Sequence, residues 1–267
     1  MKFPSRRRFL QAAAALATTA PALRAASATQ LRVLCYNIHY GQGNDGVYDL
    51  ERLARVIRDA NPDLVGLQEV DVGVRRSGQV HQLSRLGELT GLAARFGPTQ
   101  HYEGGLFGNA VLTRLPILDE VIHPLPYTEA TPERTTYPRG AIAVTVTAPD
   151  GKPLRFVSTH FQHNVPEDRV AEAAAINQLF AGDNLRTVLA GDLNAKPDEE
   201  PLKILGDQWI NALDAGAAPS APSQAPKVRI DYILSRPAAA FRLVSSEVIA
   251  DAMASDHRPV LAVFELA

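Results

Sequence analysis

The sequence predicts an α/β fold in which two β-sheets pack against each other. Short apolar runs of strand length recur along the chain, and they are joined both by hairpin turns and by helical segments. The composition shows no break that would separate two domains, so we expect a single domain over residues 29–267. The sequence has no apolar run of the roughly 18 residues that a membrane span needs.

The individual elements follow from periodicity and turn residues. The first helix is expected to begin after Asp49, a residue type that caps helix N-termini, and to end at Asn61-Pro62. Further helices are expected at 80–90 and 167–181, and a mobile loop rich in Ala, Pro and Ser at 214–227. The turn Asp150-Gly151 predicts a hairpin. The predicted strands are 31–36, 64–67, 110–113, 141–147, 154–158, 186–190, 228–234 and 259–264.

The first 28 residues have the pattern of an export signal. Arg6 and Arg7 precede an apolar pair and a weakly hydrophobic, alanine-rich stretch, and Ala26-Ser27-Ala28 is a small-residue cleavage site. This pattern is typical of a twin-arginine signal peptide, so we expect a periplasmic or secreted protein. The alternative is a lipid-surface anchor or a disordered tail.

The net charge and the cysteine content further limit the class of protein and the kind of metal site that the sequence allows. The first 28 residues hold five basic and no acidic side chains, so their removal leaves 22 basic and 29 acidic residues, a net charge of about −7. A net negative charge disfavours a protein that grips a long polyphosphate backbone through many Lys and Arg contacts. The single cysteine, Cys35, excludes intrachain disulfides and cysteine-based zinc sites, so any metal must be held by oxygen and nitrogen.

Polar residues lie at or near the ends of six apolar runs. Each of them alone has an ordinary structural explanation, such as a turn, a helix cap or a buried histidine. Together they point to one site, because strand ends in a layered α/β domain converge on a single edge. The residues are Asn37, Glu69, His160, Asp192 with Asn194, Asp231, and Asp256 with His257.

An edge rich in carboxylates, amides and imidazoles suits a hard divalent cation. Mg²⁺ prefers a few carboxylate oxygens, with water filling the other positions, and we expect Mg²⁺ here with Mn²⁺ as the alternative. Such an ion polarises a phosphoryl oxygen and stabilises an oxyanion leaving group, while a carboxylate and a histidine prepare the attacking water.

These residues lie within six motifs that together resemble a known enzyme family. In chain order the motifs are Tyr36-Asn37-Ile38-His39, Gly66-Leu67-Gln68-Glu69-Val70-Asp71, Ser158-Thr159-His160, Ala190-Gly191-Asp192-Leu193-Asn194, Arg229-Ile230-Asp231-Tyr232 and Ser255-Asp256-His257-Arg258-Pro259. The set resembles the endonuclease/exonuclease/phosphatase superfamily from about residue 30 to the end. The resemblance implies a four-layer α/β/β/α sandwich of two packed mixed sheets flanked by helices. It does not specify the substrate, because members cleave DNA, lipid head groups or soluble phosphates.

The resemblance also implies a metal-binding group of residues. Glu69 would be the principal Mg²⁺ ligand, and Asn37 would lie beside it and hold the metal or the phosphate. Asp256 would lie next to the metal site.

The same resemblance implies a catalytic group. Asp192 would orient or deprotonate the attacking water, and Asn194 would bind a phosphate oxygen. His257 would contact the scissile phosphate, paired with Asp231, which fixes its tautomer and favours its protonated form. His160 would face the phosphate or the leaving group.

Several other polar residues are weaker candidates. Asn109 and Arg139 resemble family positions that line the cleft, and Arg139 is suited to clamp a phosphate; a strand-edge surface arginine is the alternative. His39 occupies a position where apurinic endonucleases carry an acidic residue, which leaves a metal role there open. His163 and the segment Arg75-Arg76-Ser77 fit a solvated loop better than the cleft.

The segment Gly41-Gln42-Gly43-Asn44-Asp45-Gly46 matches the dinucleotide-binding pattern G-x-G-x-x-G. That motif needs its first glycine at the tight turn after the strand and its third inside the first helical turn. Here Gly46 precedes the expected N-cap Asp49, so a flexible loop at the rim is the better interpretation.

Three functions remain at this point. The first is a secreted Mg²⁺-dependent hydrolase of a phosphomonoester or phosphodiester, acting on a small molecule or a lipid head group. The second is a periplasmic endo- or exonuclease, which the negative charge and the absence of a basic insertion disfavour without excluding it. The third is a binding protein that keeps the fold without turnover. We expect a monomer.

Overall fold

The computed structural model describes residues 29–213 and 217–267, so the expected export signal lies outside the described residues. The described chain forms two mixed six-stranded sheets and four α-helices. The helices are α1 (Leu50–Ala60), α2 (Gln82–Thr90), α3 (Pro166–Phe180) and α4 (Glu200–Gly206). The strands are β1 (Gln30–Asn37), β2 (Leu64–Val72), β3 (Ala93–Tyr102), β4 (Gly105–Thr113), β5 (Ile117–Pro124), β6 (Gly140–Thr147), β7 (Pro153–His160), β8 (Thr187–Asp192), β9 (Ile210–Asn211), β10 (Asp231–Arg236), β11 (Phe241–Val248) and β12 (Val260–Leu266).

The two sheets have related topologies. The first has the order β11-β12-β1-β2-β4-β3 and the second the order β5-β6-β7-β8-β10-β9. Each contains one parallel pair near its centre, β1 with β2 and β7 with β8, and its other neighbours are antiparallel. The four strands of the parallel pairs end at the same edge of the sandwich, where the Asn37 side chain of the first sheet bonds Asp192 of the second.

Three apolar clusters separate four layers. One lies between the sheets and includes Phe156 and Phe264. A second joins the first sheet to α1 and α2, and a third joins the second sheet to α3 and α4. Full burial of a Val, Leu, Ile or Phe side chain contributes about 1.5–3 kcal/mol each, so these clusters hold the layers together. The predicted four-layer α/β/β/α sandwich is confirmed.

The sheets approach closely beneath the site edge. A Cβ atom at Gly66 of β2 would lie 2.9 Å from the Cβ of Ala190 on β8, which explains why glycine occupies this motif position. Nearby, Gln68 donates to the hydroxyl of Ser158 (3.2 Å), which in turn donates to the carbonyl of Leu67 (3.1 Å). These contacts hold the two sheets in register at the edge that carries the polar motifs.

The first helix is confirmed as predicted. It begins after Asp49, whose carboxylate accepts the N–H of Arg52, and its buried face includes Leu53 and Ile57. Asn61 ends it in a left-handed conformation. Helix α2 starts at Gln82, two residues later than expected, because His81 caps it.

Other boundaries differ from the sequence prediction. Strand β2 continues through Glu69 to Val72, and β10 begins at Asp231 rather than at 228, because Val228 makes only an isolated bridge to Ala221. Strands β3, β5, β9 and β11 and helix α4 were not predicted. In the residues that the structure describes, none of the helices has the length and apolar character needed to span a membrane.

Candidate active site

The site lies at the edge of the sandwich where strands from both sheets end. Asn37 closes β1, and its side-chain amide donates to Glu69 Oε1 (3.1 Å) and to Asp192 Oδ2 (3.0 Å). Its own Oδ1 accepts the backbone N–H of His39 (3.0 Å). One buried amide therefore joins two carboxylates, one from each sheet.

Glu69 lies inside β2, at a β-bulge. The register with β4 shifts between Leu67 and Val70, so Gln68 and Glu69 together oppose the single residue Asn109. Glu69 takes a left-handed backbone conformation with a φ of 58°. Bulges re-aim side chains near active sites, and this one turns the Glu69 carboxylate toward the cleft.

Asp192 is the buried acidic centre of the site. It ends β8 and is only 1% exposed. Its Oδ2 lies 3.5 Å from Nε2 of His160 and 3.7 Å from Nε2 of His257, and its Oδ1 accepts the backbone N–H of Asn194 (3.0 Å). A carboxylate held between two imidazoles is a suitable acceptor for a proton.

His160 and Asn194 form the wall beside Asp192. The amide nitrogen of Asn194 lies 3.1 Å from His160 Nε2 and donates to the carbonyl of Phe161 (3.0 Å). His160 Nδ1 is buried and has no hydrogen-bond partner among the described residues. The structure thus brings both predicted residues to Asp192, with Asn194 ordering His160.

Asp231 and His257 form a second buried pair. Nδ1 of His257 lies 2.9 Å and 3.2 Å from the two carboxylate oxygens of Asp231, which is fully buried. This contact leaves Nε2 of His257 facing Asp192. The pairing predicted from the sequence is present in the structure.

Ser220 is a residue of this network that the sequence analysis missed. Its hydroxyl donates to Asp231 Oδ2 (2.6 Å) and accepts the N–H groups of Ile230 and Asp231 (3.2 and 3.3 Å). Its carbonyl accepts the N–H of Arg258 (2.8 Å), next to His257. The expected mobile loop at 214–227 is therefore, in its described part from 217 onward, attached to the site, and Ser220 and Ser223 are buried. Residues 214–216 lie outside the described residues.

The three central titratable groups have distinct protonation preferences. Burial and the charge of Asp231 raise the pKa of Asp192 to about 7. Burial lowers the pKa of His257, but the charges of Asp231 and Asp192 outweigh it and raise the pKa well above its usual value. Burial and the charge of Arg139 keep the pKa of His160 well below its usual value. A protonated His257 and a neutral His160 therefore flank Asp192 at neutral pH.

These residues form the floor of an open cleft of about 310 Å³. The volume lies at the lower end of the range of small-molecule clefts, roughly 300–1000 Å³. The lining residues are Glu69, Arg76, Gln100, Tyr102, Phe107, Tyr137, Arg139, His160, His163, Asp192, Asn194 and His257.

Arg139 is the most unusual side chain of the cleft. It is only 6% exposed, yet its guanidinium makes no hydrogen bond or ion pair with the part of the chain that the structure describes. Burial lowers its pKa, against the opposing charges of Glu172 and Glu69. A buried guanidinium normally has a carboxylate partner, so this one is arranged for an anion that the protein does not supply.

The weaker candidates Asn109 and His39 and the metal candidate Asp256 lie outside the cleft lining, as do Asn37 and Asp231, which are described above. Asn109 is buried and donates to the carbonyl of Gly140 (2.8 Å), which supports the backbone beside Arg139. The ring of His39 contacts the carbonyl of Gln42 (3.2 Å) and lies 3.9 Å from the carboxylate of Asp256, whose side chain is 40% exposed. These three side chains surround the site without lining its floor.

Several cleft residues were not expected from the sequence. Gln100, Tyr102 and Phe107 come from the β3–β4 hairpin, which the sequence analysis did not identify. Arg76 and His163, which fitted solvated loops, line the cleft, and the His163 ring stacks on Tyr137 at 5.7 Å. Only their position in the fold reveals them, because no motif contains the three hairpin residues.

The acidic residues fit a divalent cation. Ligand atoms of Asp192, Asp231 and His257 lie within 4.8 Å of one another, but the His257 proton already pairs with Asp231. Glu69 offers a better oxygen, because Asn37 occupies its Oε1 while its Oε2 accepts no hydrogen bond from the described residues. A carboxylate with one free oxygen, beside further oxygen donors, suits a hard cation such as Mg²⁺.

The glycine-rich segment that matches the dinucleotide-binding pattern belongs to the rim of the site. Asn44 within it donates to Ser223 Oγ (2.7 Å) and to the carbonyls of Ala252 and Ser255 (2.8 and 3.1 Å). These contacts attach the segment to the loop that carries His257, so it is held more firmly than the flexible loop expected from the sequence.

This fold and this site define a hydrolase that acts on phosphoesters. The chain belongs to the Endonuclease/Exonuclease/phosphatase family, whose model matches residues 34–257. Enzymes of this family are phosphoesterases or nucleases and generally depend on a divalent metal. The family resemblance of the six motifs is thereby confirmed.

Solved structures support the fold. An endonuclease/exonuclease/phosphatase from Beutenbergia cavernae is 28% identical, with a TM-score of 0.75 over 90% of this chain and 72% of that chain. A mannosyl-6-phosphatase from Bacteroides thetaiotaomicron is 20% identical, with a TM-score of 0.70 over 88% and 99% of the two chains. The catalytic domain of human nocturnin is 17% identical, with a TM-score of 0.66 over 89% and 95%.

Proposed function

We propose that the protein is an exported, Mg²⁺-dependent hydrolase of small or lipid-derived phosphoesters that cleaves its substrate by metal-assisted attack of water. The observation that carries this proposal is Arg139, a buried and unpaired guanidinium in the same cleft as Asp192 and His257. This arrangement supplies a positive group for a phosphoryl oxygen next to a carboxylate that is able to accept a proton.

The proton-transfer step rests on Asp192. Its pKa of about 7 allows it to accept a proton from water at neutral pH, and its position between His160 and His257 holds its carboxylate in place. Asn194 supports this geometry from the backbone side.

Stabilisation of the phosphoryl group rests on His257, Arg139 and Asn194. His257, kept protonated by Asp231, presents Nε2 to the developing negative charge, and Arg139 donates to the same group. Asn194 contacts a phosphate oxygen by turning one amide hydrogen away from Phe161 or His160. His160, which stays neutral, faces the phosphate or the leaving group.

The metal belongs at Glu69, with Asn37 and Asp256 beside it. Bound there, Mg²⁺ supplies a Lewis acid for the phosphoryl oxygen and for the leaving oxyanion. Mn²⁺, which takes the same oxygen ligands, is the alternative.

The test is product analysis with the purified protein of residues 29–267. A panel of plasmid DNA, RNA, phospholipids, nucleotides and sugar or inositol phosphates is incubated with Mg²⁺, with Mn²⁺ or with EDTA. We expect metal-dependent release of one class of small phosphoester, and Asp192→Asn and His257→Ala are each expected to lower turnover by about 10³-fold or more. Unchanged thermal unfolding of both variants serves as the folding control.

The outcomes separate the candidate functions. Plasmid or RNA cleavage as the sole activity would replace this proposal with a nuclease. Survival of every substrate class with each metal would favour a binding protein, and full activity of either variant would remove the assigned roles.

Export is part of the same proposal and rests on residues 1–28. The twin-arginine pathway recognises its arginine pair, so a folded reporter carrying this segment is expected to reach the periplasm only while Arg6 and Arg7 are intact. Fractionation of cells carrying the reporter measures this. Export that persists after both are replaced by Lys would contradict it.

A further inference from the structure

One wall of the cleft takes no part in the proposed chemistry. Gln100, Tyr102 and Phe107 of the β3–β4 hairpin line it together with Arg76. This wall shares the cleft with the phosphoryl-binding residues, so it lies where the organic part of a phosphoester is accommodated. The inference below rests on the proposed function and names the leaving group that this wall accepts.

The arginine in this wall is neutralised, unlike Arg139. Nε and Nη2 of Arg76 each donate to the carboxylate of Asp71 at 2.9 Å, and Asp71 is fully buried. The hydroxyl of Ser77 donates to the same carboxylate (2.9 Å). Because Arg76 already has its own counterion, the described residues at this end of the cleft offer no unpaired positive charge for a second phosphate or a polyanionic strand.

Aromatic rings surround the guanidinium of Arg76. Its central carbon lies 3.8 Å from the ring centre of Tyr40, 4.5 Å from that of Tyr102 and 5.3 Å from that of Phe107. Cation–π contacts of this kind fix the rings in place. The wall is therefore a rigid aromatic surface, with the Gln100 amide as its neutral donor and acceptor.

The side chains of the wall determine which group binds to this surface. The cleft of about 310 Å³ must also hold the phosphoryl group, the metal and the attacking water. Aromatic side chains pack against the apolar faces of such a ring, while an amide bonds its hydroxyl groups.

We propose that Gln100, Tyr102 and Phe107 form a leaving-group subsite for a single uncharged ring that carries hydroxyl groups. The substrate class is accordingly a monophosphate of a cyclic sugar or of a cyclic polyol. Arg76, whose charge Asp71 neutralises, lies beside these three residues in the wall and holds the rings in place.

The test compares substrates that differ only in the leaving group. The probes are glucose 6-phosphate, mannose 6-phosphate and inositol 1-phosphate as ring monophosphates, glycerol 3-phosphate as the open-chain comparison, glucose 1,6-bisphosphate as the charged ring and adenosine 5′-monophosphate as the nucleotide. The variant is Tyr102→Ala, and the matched control is Tyr127→Ala, an exposed tyrosine that does not line the cleft.

We expect kcat/KM for at least one ring monophosphate to exceed that for glycerol 3-phosphate by about tenfold or more, and Tyr102→Ala to remove about tenfold of that preference. For glycerol 3-phosphate, the kcat/KM of Tyr102→Ala is expected to stay near the wild-type value. The control Tyr127→Ala is expected to keep wild-type kcat/KM for every substrate. Comparison of the hexose phosphates with inositol 1-phosphate identifies the sugar or the polyol as the source of the ring.

Three results would overturn the subsite: no preference for the ring, preference for the bisphosphate or the nucleotide, or an equal loss for all substrates in Tyr102→Ala. Calorimetric binding of the same phosphates to the Asp192→Asn protein, with and without Tyr102→Ala, separates this inference from the proposed function. Ring-selective binding that depends on Tyr102 without any turnover by the wild type would reject the proposed hydrolysis and keep the subsite. Absence of selectivity in both binding and turnover would reject the subsite.

Discussion

The two edges of the sandwich each bury an arginine, and the two arginines differ in what they contact. At the edge opposite the cleft, Arg186 is 8% exposed and donates to both carboxylate oxygens of Asp150 (2.7 and 3.0 Å). At the site edge, Arg139 is 6% exposed and lacks such a partner among the described residues. A paired buried guanidinium holds a turn in place, whereas an unpaired one is available for a ligand.

The nearby carboxylates show the same difference. The hydrogen bond from Arg186 lowers the pKa of Asp150 below its usual value. Glu172, whose charge acts on Arg139, is fully buried on α3, and burial raises its pKa to about 8 although a backbone hydrogen bond from Gln162 and the charge of Arg139 lower it. The protein thus completes its ion pair at one edge, whereas at the other edge Glu172 favours its neutral form and Arg139 has no ion-pair partner among the described residues.

The largest expected effect tests the paired edge. Arg186→Met leaves the Asp150 carboxylate with only the exposed Lys152 as a cationic neighbour, and breaking such a buried pair costs about 3 kcal/mol of unfolding free energy. Urea denaturation measures this loss. Since Arg186 is far from the cleft, kcat/KM of the folded variant is expected to equal the wild-type value. If Arg186→Met kept the wild-type unfolding free energy but had a lower kcat/KM, Arg186 would serve catalysis rather than stability.

The next effect tests the unpaired edge. Arg139→Met is expected to lower kcat/KM by about 10²-fold, because removal of one preorganised donor to the transition state costs this much. Its unfolding free energy is expected to stay level or rise, since a buried charge without a partner is lost. Steady-state kinetics and urea denaturation measure the two quantities. Arg186→Met is the matched control, and a destabilised but fully active Arg139→Met would show that Arg139 is structural.

The smallest effect concerns Glu172 and depends on pH. Its pKa of about 8 in the folded protein exceeds the ordinary value of 4.5. The folded state therefore binds a proton more tightly, and the stability that this contributes is lost as pH rises from about 5 to 8. At about 1.4 kcal/mol per pKa unit the full shift corresponds to about 5 kcal/mol, but relaxation around the buried charge lowers such penalties, so we expect Glu172→Gln to remove a decline on the order of 1–2 kcal/mol. Urea denaturation of both proteins at pH 5, 7 and 9 tests this, and parallel pH profiles would contradict it.

The central strands were predictable from sequence, but the edge strands were not. Strands such as β1 and β8 are buried on both faces and appear as continuous apolar runs. The four strands missed by the prediction, β3, β5, β9 and β11, are the four outer strands of the two sheets. They are largely exposed, as β5 and β11 show, and so lack a strong apolar pattern.

The candidate site shows the same limit. The residues that motifs identified from sequence, including Asp192, Asp231 and His257, meet at one edge because they lie at the ends of β8 and β10 or in the loop before β12, all of which are inner strands. Ser220 had no such signal, because it lies in an Ala-, Pro- and Ser-rich segment whose contacts with Asp231 arise only in the tertiary structure. Tyr102 was missed for a related reason, since it belongs to an edge strand of weak pattern.

The pairing of β1 with β12 has a practical consequence for handling the protein. Both strands run between the cleft and the opposite edge, and the N–H of Leu266 bonds the carbonyl of Thr29 (3.0 Å). Residues 29 and 267 therefore lie close together at the face farthest from the catalytic groups. An affinity tag or surface tether attached after Ala267 emerges there, so immobilised protein presents an open cleft to the solution.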